Sequence, residues 1–146
     1  MSKIKYALLL RMDPSYWPCW EQKLLPDSDK KVWFKTGRRR PEDIHPGIPV
    51  IVLGTKGLGV VAFGKTSTRI KHVPDPDWEE VDNQYQEECK KPENRVCVEI
   101  RRVQVPLSEL CEQPLVAKLH TVRETTTWLS SEQHHTLMDL ISTHKT

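Results

Sequence analysis

Ile48 to Leu53 is a largely apolar run, Gly54-Thr55-Lys56-Gly57 interrupts it, and a second apolar run follows from Leu58 to Phe63. Two β-branched runs joined by a glycine-bounded turn predict an antiparallel hairpin. A hairpin this apolar cannot stand alone in water, so further strands or helices must cover it. The rest of the chain supplies them. Tyr6 to Leu10 reads as a first buried strand, and Asp13-Pro14-Ser15 opens a turn into a tryptophan-rich segment ending near Leu25-Pro26. Val32-Trp33-Phe34 leads into a basic cluster, and Pro41-Glu42-Asp43-Ile44 fits one helical turn before His45-Pro46-Gly47. The returning hairpin strand is expected to run on as the half-polar Gly64 to Val73.

From Pro74 to Pro92 the sequence is acidic, carries three prolines and lacks an apolar period, so a long loop is expected. Arg95 to Val105 follows as a strand, with Val96, Val98 and Ile100 on one parity and Val103 and Val105 on the other. That change predicts a bulge or sharp bend near Arg101, a device that curves a sheet into a barrel. Ser130 with Gln133 fits a capping box, and Leu137, Met138 and Ile141 give the helix behind it a buried stripe. The expected architecture is α+β: one domain over residues 1–146, a small curved β-barrel flanked by short helices.

With 146 residues the chain has material for one ordinary core, and 37% hydrophobic with 29% charged residues are globular values. No apolar run approaches the roughly 18 to 20 residues of a membrane span. The apolar stretch near the N-terminus meets Arg11 too early for a secretion signal. Cys19, Cys89, Cys97 and Cys111 show no zinc-type spacing, which predicts reduced thiols, a cytoplasmic location and neither a metal nor another cofactor. A net charge of +2 says little, but its distribution says more. Lys35, Arg38, Arg39 and Arg40 form a basic cluster joined further on by Lys65, Arg69 and Lys71, whereas Asp75 to Glu88 holds seven acidic residues and no basic one.

Gly59-Val60-Val61-Ala62-Phe63-Gly64-Lys65-Thr66 matches the phosphate-loop template letter for letter. Its middle residues are those of a β-strand, and the Ser67 to Ile70 stretch with Pro74 and Pro76 beyond it is a poor helix. A nucleotide-binding enzyme is therefore the remote alternative. His134 and His135 are adjacent on a helix and face different directions, which argues against a shared metal. The aromatic inventory points elsewhere. Five tryptophans stand against two phenylalanines and three tyrosines, and Trp33 and Trp78 lie in polar, loop-forming surroundings. An indole there offers a face on which a nucleobase can stack. Trp128, just before the cap, and Trp20 read as packing residues.

In order, the first strand, Tyr16-Trp17-Pro18-Cys19-Trp20, Trp33, Ile44-His45-Pro46-Gly47, Val50-Ile51-Val52-Leu53 and the glycine-bounded Gly57 to Gly64 strand resemble an EVE domain. The likeness is to the version in modification-dependent His-Asn-His endonucleases, and it runs from Tyr6 to the Leu129-Ser130-Ser131-Glu132 helix start. It implies a PUA-like fold related to YTH domains, and a reader without catalytic residues that holds a flipped-out modified base in an aromatic cage. On that likeness Trp33 and Trp78 form the cage walls, with Asp13 and Trp17 at further pocket positions. Phe34 stands where the YTH pattern has serine. Arg38, Arg39, Arg40, Lys65 and Arg69 are the expected phosphate contacts. The ionised Asp13 carboxylate accepts hydrogen bonds and so favours an amino-bearing base edge, such as that of a modified cytosine like 5-methylcytosine. The expected partner is nucleic acid, DNA before RNA, with any nuclease domain supplied elsewhere and no membrane involved. A PUA-like RNA-binding module is the alternative, because both use aromatic faces and basic rims.

Overall fold

The computed structural model describes residues 5–12, 24–26, 28–36, 44–76, 87, 89–122 and 126–144. The strands are β1 (Ala7–Met12), β2 (Lys30–Lys35), β3 (Pro49–Gly54), β4 (Gly59–Thr66), β5 (Lys71–Val73), β6 (Glu93–Val105) and β7 (Thr126–Leu129). Among the described residues the α-helices with full ranges are α1 (Leu107–Cys111) and α2 (Ser131–His144), with a 3₁₀ turn at Leu119–Thr121. All seven strands join one sheet in the order β2-β6-β4-β3-β1-β7, with β5 also on β6. Only β1 and β3 run parallel.

The β3–β4 hairpin forms where its glycines predict it. Lys56 and Gly57 take positive φ of 57° and 90°, and Gly59 follows at 82°. A Cβ on Gly59 would stand 2.1 Å from the carbonyl oxygen of Val105, so only glycine lets β4 start against β6. The continuation expected through Val73 divides instead. β4 ends at Thr66, and β5 resumes on the same edge of β6. Between them Ser67 N donates to the Cys97 carbonyl at 2.7 Å, and Cys97 N donates to Thr68 Oγ1 at 3.1 Å. A hydroxyl replaces one backbone acceptor, which lets the pairing along this side of β6 break while β6 stays satisfied.

Two apolar clusters lie on opposite faces of the sheet. The inner one holds Leu8, Leu10, Phe34, Val50, Val52, Val96, Val98 and Ile100, with half-buried Val32 and Trp128 against it. The outer one holds Leu9, Ile51, Leu53, Val60, Val103 and Val105 under Leu110, Leu119, Leu137 and Ile141. The irregularity expected near Arg101, a bulge or sharp bend, is a shift of register opposite Arg102 to Val105. Even and odd residues of β6 keep to their own faces, and what also changes is which face is covered: the inner one over Val96 to Ile100, the outer one over Val103 and Val105. On β4 the register shift lies between Val60 and Ala62.

The sheet is open, which corrects the expected barrel. Closure requires the first and last strands of the order to pair. β2 pairs with β6 and β7 with β1, and among the described residues neither pairs with the other. The apolar surface beside β1 and β3 is covered by α2 instead. That helix opens on the expected box: Gln133 N donates to Ser130 Oγ at 3.1 Å, and Ser130 N to Gln133 Oε1 at 3.0 Å. No described helix is long and apolar enough to cross a membrane.

Candidate nucleic-acid interface

Val32 and Phe34 pack into the inner cluster, so alternation along β2 turns Trp33 to the outer face. Trp33 is thus a strand residue and not, as its neighbours in sequence suggest, a loop residue. It is half-buried and pairs in register with buried Cys97 of β6. Lys31 and Lys35 lie two residues to either side of it on the same face.

Cross-strand register extends this face sideways. Lys31 stands opposite Glu99, and on the far side of β6 Glu99 stands opposite Lys65 of β4. Four residues further along, Lys35 stands opposite Arg95, and Arg95 opposite Lys71 of β5. Strands lie about 4.8 Å apart and rise about 3.3 Å per residue. The lysines therefore mark the corners of a field roughly 10 Å by 13 Å at the backbone, with Cys97 at its middle and Trp33 midway along its β2 side. Lys31, Lys65 and Lys71 are exposed, as is Arg69 in the link between β4 and β5. Lys35 is engaged, its Nζ 3.0 Å from Glu93 Oε2.

Arg95 is 2% exposed although it lies on this face. Its Nε donates to the carbonyl of Val73 at 3.0 Å and its Nη2 to those of Cys89 and Lys91 at 3.4 Å. Asp75 N donates to the same Cys89 carbonyl at 2.8 Å. The two ends of the acidic stretch thus meet over Arg95, two positions along β6 from Cys97. Asp75 is three residues before Trp78.

The sequence-predicted residues divide as follows. Trp33 and Lys65 share the outer face, and Arg69 sits beside them in the link that is hydrogen-bonded to Cys97. Asp13, Trp17, Trp20, Trp78, Arg38, Arg39 and Arg40 lie outside the described residues. Met12, before Asp13, ends β1, its carbonyl accepting from Thr55 N at 2.9 Å; β6, β4 and β3 separate β1 from β2 in the hydrogen-bonded order. No aromatic ring partners Trp33 among the described residues, where the one ring pair is Tyr6 with His134. The phosphate-loop match is a strand over its whole length. Its Thr66 hydroxyl is buried, donating to the His45 carbonyl at 2.6 Å and accepting from Ile48 N at 2.9 Å. It serves to hold the His45-Pro46-Gly47 turn, and the nucleotide-loop reading falls. Lys31, Lys71 and Glu99 complete the face. Residue spacing alone did not single out Lys31 or Glu99, because only cross-strand register brings them beside Trp33.

No protein-family model and no curated protein matches the chain. Solved structures do match over nearly its full length. A hypothetical protein from Leishmania major is 18% identical, covering 97% of this chain and 96% of its own, with a TM-score of 0.62. The ASCH protein from Zymomonas mobilis is 14% identical over 93% of this chain and 96% of its own, with a TM-score of 0.59. A protein from Rhodopseudomonas palustris solved by NMR is 16% identical over 94% of each chain, with a TM-score of 0.56. Such identities speak for the fold alone. The chain has a fold similar to that of the Zymomonas mobilis ASCH structure.

Proposed function

We propose that this chain is a non-catalytic module that binds nucleic acid on the outer face of β2, β6, β4 and β5. An unpaired base stacks on Trp33, and phosphates lie along Lys31, Lys65, Arg69 and Lys71, with Arg38, Arg39 and Arg40, which follow β2 in sequence, as further phosphate contacts. The observation that carries the reading is Trp33, a half-buried indole turned away from the inner cluster and set among cross-strand lysines. Stacking is worth about 1–3 kcal/mol per base, and the cations supply attraction that is independent of sequence.

The finer reading is a modified base, a cytosine derivative in DNA, flipped from its stack. It is supported by the EVE resemblance and by Asp13, Trp17 and Trp78. Flipping costs a few kcal/mol, which stacking and phosphate contacts offset. A buried methyl group adds about 0.8 kcal/mol of preference over the bare base. The test is binding to single- and double-stranded DNA and RNA oligonucleotides, each with one modified or unmodified base. Preference for one modified DNA strand supports the finer reading, and preference for RNA supports the alternative. No binding to any member rejects both.

A further inference from the structure

We infer that Glu99 is a base-reading residue of this face, selecting a nucleobase that presents an amino group. The inference rests on the proposal that a base stacks on Trp33. Cys97 is the direct partner of Trp33, and Glu99 is the next residue of β6 on the same face, which makes it a diagonal neighbour of the indole. Diagonal pairs on one sheet face lie about 7–8 Å apart at the backbone, within reach of a long side chain. A base lying on the indole would place its edge over the neighbouring strand, where this carboxylate stands.

Two further observations separate Glu99 from an ordinary surface carboxylate. Lys31 and Lys65 stand opposite it on either side, yet among the described residues Glu99 makes no ion pair and no side-chain hydrogen bond. It is half-buried and not swung out to solvent. Its backbone is held firmly: a Cβ on Gly64 would come within 1.8 Å of the Glu99 carbonyl oxygen, so β4 lies tight against β6 at this residue. A rigid support of that kind suits a group that must discriminate.

The chemistry sets the direction. An ionised carboxylate only accepts, so it attracts an exocyclic amino group and repels a carbonyl oxygen at the same position. At C4 cytosine carries that amino group and uracil a carbonyl oxygen, a change that also turns the adjacent N3 from an acceptor into a donor. The flanking lysines are left to meet phosphates, so one row of side chains both reads the base and holds the backbone.

Fluorescence anisotropy with labelled single-stranded DNA nonamers, identical except for a central cytosine, uracil or N4,N4-dimethylcytosine, tests this. The wild-type protein is expected to prefer cytosine over uracil by about tenfold and to lose that preference on the dimethylated base, which has no amino hydrogen. Glu99→Gln is expected to bring the cytosine-to-uracil ratio close to one while general affinity holds or rises, because a negative charge leaves a basic face. If Glu99→Gln shifts both affinities equally and keeps the ratio, Glu99 only tunes charge and the inference is overturned. Equal wild-type binding of cytosine and uracil also overturns it. Should Glu99→Gln fail to fold, the dimethylated strand still decides: undiminished wild-type binding to it overturns the inference. Failure of the wild type to bind any of the strands rejects instead the reading of the face on which Glu99 depends.

Discussion

Replacing Trp33 by alanine removes a half-buried indole from the outer face, away from the inner cluster, and the two consequences separate cleanly. Affinity for a single strand is expected to fall by about 1–3 kcal/mol, while the urea midpoint changes little. Fluorescence titration and urea unfolding of Trp33→Ala measure the two, and a large loss of stability with unchanged affinity would make Trp33 a packing residue. Its basic surroundings were legible in the sequence, where Lys31, Lys35 and Arg38 lie close by. Its place on a strand was not, because the alternation of β2 spans few residues and ends in charge. His134 gives a second prediction. It is half-buried against Tyr6, ring centroids 5.4 Å apart, and burial, then the neighbouring charge of His135, pulls its pKa below the ordinary 6.5. The unfolded chain then binds the proton first as pH falls. Stability should be full above pH 6.5 and decline as pH drops below it. Urea midpoints at falling pH should show that slope, and His134→Gln should flatten it.

Among the elements, those written in local chemistry were read correctly. The hairpin followed from its glycines and apolar runs, and α2 from the Ser130–Gln133 box. Ser130→Ala should lower stability by about 1 kcal/mol with no change in the slope of urea unfolding, since it frees one donor at the helix start and alters no core contact. A change in that slope would mean that α2 undocks. Elements that depend on distant partners were not legible. β7 has four residues and no strong pattern, and it exists because Thr126–Leu129 pairs with β1. The parallel pairing of β1 with β3 joins segments separated by the whole tryptophan-rich stretch, and nothing local encodes it. The break between β4 and β5 turns on a Thr68 hydroxyl that stands in for a backbone acceptor. The valine pattern of β6 pointed to a bulge or bend near Arg101, and the register of β4 on β6 shifts just beyond it, but parity alone did not show that the covered face also changes there.

At the scale of the molecule, a net charge of +2 conceals a basic face, with Lys31, Lys65 and Lys71 brought together by β2, β4 and β5 from positions far apart in sequence. The open sheet leaves this face outside α2, which covers only the Val103–Val105 end of β6. Each phosphate contact lowers the logarithmic salt slope of single-strand binding by about 0.7. The combined Lys31→Gln, Lys65→Gln and Lys71→Gln variant should therefore flatten the slope by about 2 and weaken all sequences alike. An unchanged slope would place the phosphates elsewhere. The central claim, that nucleic acid lies on the outer face around Trp33, is tested most directly by amide and indole chemical shifts of the ¹⁵N-labelled protein titrated with a single-stranded oligonucleotide. The account predicts shifts that concentrate at Lys31, Trp33, Lys65, Cys97 and Glu99 and spare α2. Shifts confined to α2 and β7, or none at Trp33 on saturation, would contradict it.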